Sequence, residues 1–548
     1  MLLKVRKPRV LFILQLLILL LSQQTFAQAK KQSQNFKLAT ITTGQLAGTT
    51  LSSGIHVFKG IPYAAPPIGN LRWKAPQPPL SWTYLRDATY FGARAVQSSS
   101  PLYEFRSEEM SEDCLFLNVW TGADSDKERR PVYIFIHGGS FIHGDGSQPA
   151  YDGESMARQG IVYVSINYRL GVFGFLAHPE LGKESAIGAS GNYGLLDQLA
   201  AIKWVKENIS AFGGDPKRIT IGGESAGSQS VSAHLTSTLS KGLFAGAIAQ
   251  SGSLLDLRPL ITPLAEGEEL GAALLKTAKK TSIAEMRSIK ATKLLKIAEK
   301  DNPRRFKPVV DGYFLNEFPL TVFTKGEQAD VPLLVGWNSY EVPSEVLLRL
   351  RKSTPQNFRK AVEKIYGPHA KELLSFYTVA TNAEAKQAAS DIMSDRLINY
   401  SAWNLAELQA TTSQSNTFRY FFAQPHPGLT IKALRTGNIL AQLRNRLLNK
   451  IITGNAFHAS EIEYALGNLE VQRNFAWNAT DYKVSHQMQS YFVNFIKNGN
   501  PNGTDLTHWP KFESGNTGKF LRISEINQAE IDTNRNRYLF LKKIGYVK

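Results

Sequence analysis

Cysteine is almost missing from this sequence: Cys114 is the single one in 548 residues. That excludes any intramolecular disulfide, and with it a small cystine-stapled scaffold or a multi-cysteine zinc or iron–sulfur site. Beyond the N-terminal stretch no segment approaches the roughly 18 uninterrupted apolar residues of a membrane-spanning helix. From about residue 36 onward there is no low-complexity linker and no fixed-period repeat, so a string of modules and a solenoid are excluded. Acidic residues are also scarce, 46 Asp+Glu against 63 Lys+Arg, for a formal charge of +17. The remainder is ordinary, with 43% hydrophobic and 20% charged residues. This composition rules out disorder, collagen and coiled coil and leaves room for a large core.

The N-terminus accounts for part of the charge. Lys4, Arg6, Lys7 and Arg9 precede an apolar run from Val10 to Leu21, broken only by Gln15, and Thr25 and Ala27 stand at the small-residue positions of a cleavage site. This is the layout of a secretory signal peptide covering residues 1–27. The apolar run is too short for a permanent anchor. Cleavage would remove four cations and no acid, leaving a single domain of residues 28–548 with no transmembrane anchor.

The middle of the chain reads as alternating strands and helices. Val132 to Ile136 and Val162 to Asn167 are apolar, β-branched runs of the kind found in buried parallel strands. Leu195 to Ile209 has helical periodicity, Arg218 to Ile221 is a short strand leading to a glycine-rich corner and a helix from Ala226, and Ala247 to Gln250 and Val331 to Val335 are further strands. The pattern predicts an α/β protein, a mostly parallel sheet flanked by helices. Residues 345–450 read as a helical insertion over the strand ends, with helices expected at Glu345 to Lys352 and Ile439 to Ile452.

The glycine-rich corner carries the chemistry. Gly223-Glu224-Ser225-Ala226-Gly227 is a G-x-S-x-G sequence between a strand and a helix. There, glycines on either side let a sharp turn lift one serine hydroxyl above the sheet at the positive end of the helix. The full run Phe212 to Gly227, F-G-G-D-P-K-R-I-T-I-G-G-E-S-A-G, resembles the active-site signature of the type-B carboxylesterase and cholinesterase family of the α/β-hydrolase fold. Glu112 to Trp120, E-D-C-L-F-L-N-V-W, is similar to a second signature of that family, and Gly60 to Ala64, Asn167 to Gly171, Gly191 to Gln198 and Gly499 to Gly503 match further segments. The resemblance covers essentially the whole chain after the leader.

It implies a serine carboxylic-ester hydrolase acting through an acyl-enzyme on a small-molecule ester, without metal or cofactor. An activated serine needs a base, a group that orients the base, and donors for the oxyanion. By resemblance the base is His458, in G-N-A-F-H-A-S-E-I-E-Y, with Ala459 where the family usually has glycine. The acid is Glu341, after the expected strand Val331 to Val335, with Val342 in a common glycine place and Glu345 as the fallback. The oxyanion donors are the backbone N–H groups of Gly139, Ser140 and Ala226, in and beyond His137-Gly138-Gly139-Ser140-Phe141, where Ser140 replaces a frequent third glycine. His137 belongs to this motif as a structural residue. Glu224 and Ser251 match supporting positions, one lending negative potential and one hydrogen-bonding to the triad. Lipases, thioesterases, amidases and polyester hydrolases use the same groups and stay open. Non-catalytic interaction domains of the family lose the serine or its partners, all of which are present here.

Ala95 occupies the place where many eukaryotic secreted relatives have the cysteine that pairs with the one at Cys114. A disulfide-free exported member points to a secreted or periplasmic, bacterial enzyme, with Cys114 as a small buried residue. The remaining cations concentrate between Lys276 and Lys307, which hold 11 Lys/Arg and the acids Glu285, Glu299 and Asp301. Their helical spacing with Leu, Ile and Ala predicts a solvated helix face. No motif points to nucleic acid.

Overall fold

The computed structural model describes residues 36–100, 103–300, 302–349, 351–515 and 518–545. The expected signal peptide lies outside the described residues. A 13-stranded sheet runs through the molecule. Its strands in chain order are β1 (Phe36–Ile41), β2 (Gly44–Thr50), β3 (His56–Pro62), β4 (Leu85–Asp87), β5 (Phe116–Thr121), β6 (Arg130–Ile136), β7 (Val162–Ile166), β8 (Gly214–Glu224), β9 (Gly246–Gln250), β10 (Leu333–Asn338), β11 (Thr417–Phe422), β12 (Lys519–Ile523) and β13 (Gln528–Ile531). The spatial order is β1-β2-β3-β5-β7-β6-β8-β9-β10-β11-β12-β13, with β4 beside β2. From β7 to β12 every neighbouring pair is parallel, and the pairs joining β1, β2, β3, β5 and β7, like β12 with β13, are antiparallel.

Both faces of the parallel part are buried, which is why its strands read as uninterrupted apolar runs. On β6, Val132, Ile134 and Ile136 enter one core while Tyr133 and Phe135 enter the other. The first core is roofed by α1 (Tyr193–Asn208), α2 (Ala226–Thr236) and α3 (Tyr400–Thr412), through side chains such as Leu199, Ile202, Val231 and Leu405. A further helix, α4 (Ile439–Ile452), follows in the chain, and α5 (Ala479–Asn498) covers the second core with Val484, Met488, Phe492 and Phe495. Each such side chain, fully buried, stabilises the fold by roughly 1.5–3 kcal/mol.

Two of the sequence segments lock together across the first core. The Arg169 guanidinium donates two hydrogen bonds of 2.7 Å to the carboxylate of Asp197, and both side chains are buried. A bidentate pair satisfies both charges where water cannot. Arg72 makes a similar fork with Glu112, at 2.6 Å from Nε, which holds the loop before Cys114. Cys114 is buried beside Ala95, Leu170 and Phe173, and burial pushes its thiol well above the usual value. A thiol held protonated is a packing residue, not a nucleophile.

The region 345–450 departs from the uniform helical insertion expected of it. Helices fill Pro355–Tyr366, Asn382–Ser394 and Tyr400–Thr412, but β11 then joins the parallel sheet between β10 and β12. Arg419, inside β11, hides the strand from a hydropathy reading. Its guanidinium is buried against Trp337, Phe512 and Phe520 and donates to Asp532 at 2.5 Å. The helix expected over Glu345 to Lys352 ends at Leu348, since Arg349 turns to φ +49°. Between Lys276 and Lys307, the helix Ala291–Glu299 buries Leu294, Leu295 and Ala298 and turns Lys293 and Lys296 to solvent. No helix among the described residues is long and apolar enough to cross a membrane.

Candidate active site

β8 delivers Glu224 and Ser225 to the C-terminal edge of the parallel strands, and α2 begins at the next residue. Ser225 has φ +56° and ψ −119°, a conformation that side-chain-bearing residues rarely adopt. The flanking glycines are required by close approach. A Cβ on Gly227 would lie 2.0 Å from the carbonyl oxygen of Ile136, and one on Gly223 would lie 2.6 Å from the same oxygen. The Ser225 N–H donates to the Gln250 carbonyl at 2.9 Å, which ties the corner to β9.

The strained turn aims Ser225 Oγ at His458 Nε2, 3.0 Å away. On the other side of the ring, His458 Nδ1 stands 2.6 Å from Glu341 Oε2. A nitrogen facing a carboxylate carries the proton, so Nε2 is left as the acceptor for the serine hydroxyl. Glu341, buried in the turn after β10, has its other oxygen filled by the Asn338 N–H at 2.6 Å and the Ser251 hydroxyl at 2.7 Å. The loop bearing His458 is pinned to that same turn. Tyr340 pairs with Phe457 as a parallel bridge, the Tyr340 N–H donates to Ala456 O at 3.0 Å, and Asn338 Nδ2 donates to Phe457 O at 2.8 Å. Ala459, following the histidine, takes φ +70° where glycine would be unstrained.

Ser225, His458 and Glu341 are thus brought into one line, and Ser251 stands against the acid. Glu345 is elsewhere, exposed at the start of the helix Glu345–Leu348. Gly139 and Ser140 sit in the loop after β6, with φ of +104° and +57°. A Cβ on Gly139 would meet the His143 carbonyl at 2.2 Å. The N–H groups of Gly139, Ser140 and Ala226 donate to no protein acceptor among the described residues, so they are available to an incoming oxygen. His137 is buried and stacked on Tyr168 with ring centroids 4.4 Å apart, and burial lowers it to about 4. It is neutral and structural.

A second carboxylate reaches the base. Glu224 Oε1 lies 3.2 Å from His458 Nε2, so this nitrogen faces both the nucleophile and a buried acid. Burial pushes Glu224 up to about 8, against the pull of His458. Burial alone would depress the imidazole, but Glu224 and Glu341 outweigh it and hold His458 above its ordinary value. One third of the His458 side chain faces solvent, which weakens that hold.

Two participants were not singled out in the sequence. Glu461 takes the Asn338 amide at 2.5 Å and the Gln250 amide at 3.3 Å, and Ser251 Oγ lies 3.4 Å away. Burial and the neighbouring Glu341 raise it to about 7. Glu463, also buried, is raised to about 8. Their spacing from His458, three and five residues on, is visible in the sequence. That both turn inward is a property of the fold.

The chain matches the carboxylesterase family over residues 35–541. Fumonisin B1 esterase of Sphingopyxis macrogoltabida is 36% identical over 84% of this chain and 82% of its own length. Para-nitrobenzyl esterase of Bacillus subtilis is 34% identical over 92% of this chain and 99% of its own. Among solved structures, a PNB esterase superposes with a TM-score of 0.73 and a Geobacillus stearothermophilus carboxylesterase with 0.76. Each is 32% identical and covers 92% of this chain and 99% of its own.

Proposed function

The chain belongs to the carboxylesterase family and is a carboxylic-ester hydrolase of the α/β-hydrolase fold, and from that premise we propose that it works through an acyl-enzyme on Ser225, with His458 as base and Glu341 as its orienting acid. One observation carries the reading: the continuous line from Ser225 Oγ through the His458 ring to Glu341, at 3.0 and 2.6 Å. Ser225 Oγ attacks the ester carbonyl carbon while its proton passes to His458 Nε2. The carbonyl oxygen becomes an anion and accepts hydrogen bonds from the N–H groups of Gly139, Ser140 and Ala226. These donors are fixed before substrate arrives, so stabilising the oxyanion requires no reorganisation.

Collapse of the tetrahedral carbon breaks the bond to the alcohol oxygen, which takes the proton from His458. Water then gives a proton to the same nitrogen and attacks the acyl carbon; as that tetrahedral carbon collapses the bond to Ser225 Oγ breaks, Oγ takes the proton back from His458, and the acid leaves. At each proton transfer the imidazolium is stabilised by Glu341 at Nδ1 and by Glu224 near Nε2. Ser251 fills the lone pairs of Glu341 that do not face the ring, which keeps the carboxylate in one orientation.

The substrate is a small ester, and para-nitrophenyl and para-nitrobenzyl esters are fitting probes in view of the para-nitrobenzyl esterase relative. Residues 1–27 act as an export signal, so the catalytic domain of 28–548 works outside the cytoplasm. Purified protein should hydrolyse p-nitrophenyl butyrate, and Ser225→Ala should lower kcat/KM by about a thousandfold or more. Equal rates for the two proteins would sink the mechanism.

A further inference from the structure

Helix α4 carries an apolar face turned away from the protein. Its exposed aliphatic residues are Ile439 and Leu440, each 77% exposed, Leu443 at 56% and Leu447 at 63%. At about 100° per residue these four fall on one outward face spanning roughly a third of the helix circumference. The side turned to the protein holds the buried Ile452 together with Asn445, which donates to Ala433 O at 2.9 Å, and Asn449, which accepts from the Leu429 N–H at 2.6 Å. A surface helix ordinarily buries its apolar stripe, whereas four aliphatics of this one face outward. Nearby Ile431, 69% exposed, extends the patch.

Charge tells what would cover it. Arg446 borders the apolar face on one side and Arg444 on the other, and Lys450 closes it at the C-terminal end of the helix, all exposed. Lys432 and Arg435 are exposed just before the helix, and no acidic residue stands between Phe421 and Ser460. A second copy docked face to face would oppose cation to cation, and residues 1–27 carry four cations and no acid. Exposed aliphatics rimmed by Lys and Arg fit a surface that is apolar within and negative at its rim.

We propose that α4 docks the protein onto an anionic lipid surface, its Ile and Leu side chains entering the acyl boundary and Arg444, Arg446 and Lys450 meeting phosphate headgroups. The helix lies in the connection that leaves the C-terminal end of β11 and returns as the His458 loop, the edge of the sheet that also carries Ser225. Docking through α4 places that edge, and not the opposite one, toward the lipid. The inference concerns binding and stands apart from the chemistry assigned to Ser225.

Co-sedimentation of the full chain with vesicles tests it, comparing phosphatidylglycerol mixed with phosphatidylcholine against phosphatidylcholine alone. The protein should prefer the anionic vesicles, and both the pair L443D/L447D and the triple R444Q/R446Q/K450Q should lower its partition by about tenfold or more. The N-terminal residues are common to all three proteins and cancel in the comparison. Turnover of soluble p-nitrophenyl butyrate, unchanged in the variants, verifies that they are folded. Equal partition of wild type and both variants overturns the proposal, as does equal binding to the two kinds of vesicle. A wild-type dimer that L443D/L447D converts to monomer also overturns it, in favour of a second copy on this face.

Discussion

Around His458 the protein buries Glu224, Glu341, Glu461 and Glu463, while on α4 it turns Ile439, Leu440, Leu443 and Leu447 out to water. Both arrangements oppose the ordinary partition of side chains, and each costs stability. They differ in whether the cost is offset inside the molecule. Glu341 receives the Asn338 N–H, the Ser251 hydroxyl and the imidazole, so its charge is compensated locally. Nothing within the described residues covers the outward face of α4, and its compensation must come from outside. In the first region Glu341 is completed inside the molecule while Glu463 keeps an unpartnered oxygen, and the second region is completed by a partner.

Three measurements sharpen that contrast. The largest expected effect concerns Glu463, whose Oε2 has no hydrogen-bond partner and whose carboxyl burial raises to about 8. An unfolded glutamate ionises near pH ~4.3, so between that value and about 8 the folded protein retains a proton that the unfolded chain has released. Stability contributed by this group is therefore present at low pH and lost as pH rises toward 8. Glu463→Gln removes that dependence: its urea unfolding should match wild type near pH 5 and be more stable near pH 8, on the order of 2 kcal/mol. A difference that is the same at both pH values would show that the buried charge is not its source.

Next comes Glu224, at 3.2 Å from His458 Nε2. Ionised, Glu224 favours the imidazolium, whereas the base must be neutral to take the serine proton; burial keeps Glu224 protonated below about 8. Glu224→Gln should therefore leave the acidic limb of the kcat/KM profile in place. A limb that moves to lower pH by about one unit would show that Glu224 is ionised in the working enzyme. The smallest effect on stability is expected on α4. L443D/L447D should change unfolding free energy by no more than about 0.5 kcal/mol, because exposed positions add little to the fold. A loss of several kcal/mol would mean that the face is packed within the molecule after all.

What the sequence disclosed follows the same division. The nucleophile corner was legible because close approach permits only glycine at Gly223 and Gly227, and a constraint of that kind leaves its mark in the residues themselves. The strands β6, β7 and β9 were legible because burial on both faces makes them continuously apolar. β11 was not, since Arg419 breaks the run and its partner Asp532 lies more than a hundred residues away. The antiparallel strands β2 and β3 are faint in the sequence for a related reason: their burial is interrupted by partly exposed positions, and the signal per residue is weak. Glu461 stood in plain view three residues after His458. Its inward orientation depends on Gln250, Ser251 and Asn338, which arrive from two other strands.

The bridge between Tyr340 and Phe457 bears on how such a protein can change. The acid and the base are 117 residues apart in the chain, yet backbone pairing fastens their two loops side by side. Everything between leaves and re-enters through one doorway, and within it β11 belongs to the sheet and α3 to the core beneath it. The excursion over Ile431–Ile452, which buries only Ile452 of its long helix, can therefore lengthen, shrink or acquire a new surface while the distance from His458 to Glu341 stays set. A carboxylesterase of this architecture can take up a new location by rewriting that excursion, with its proton-transfer line inherited unchanged.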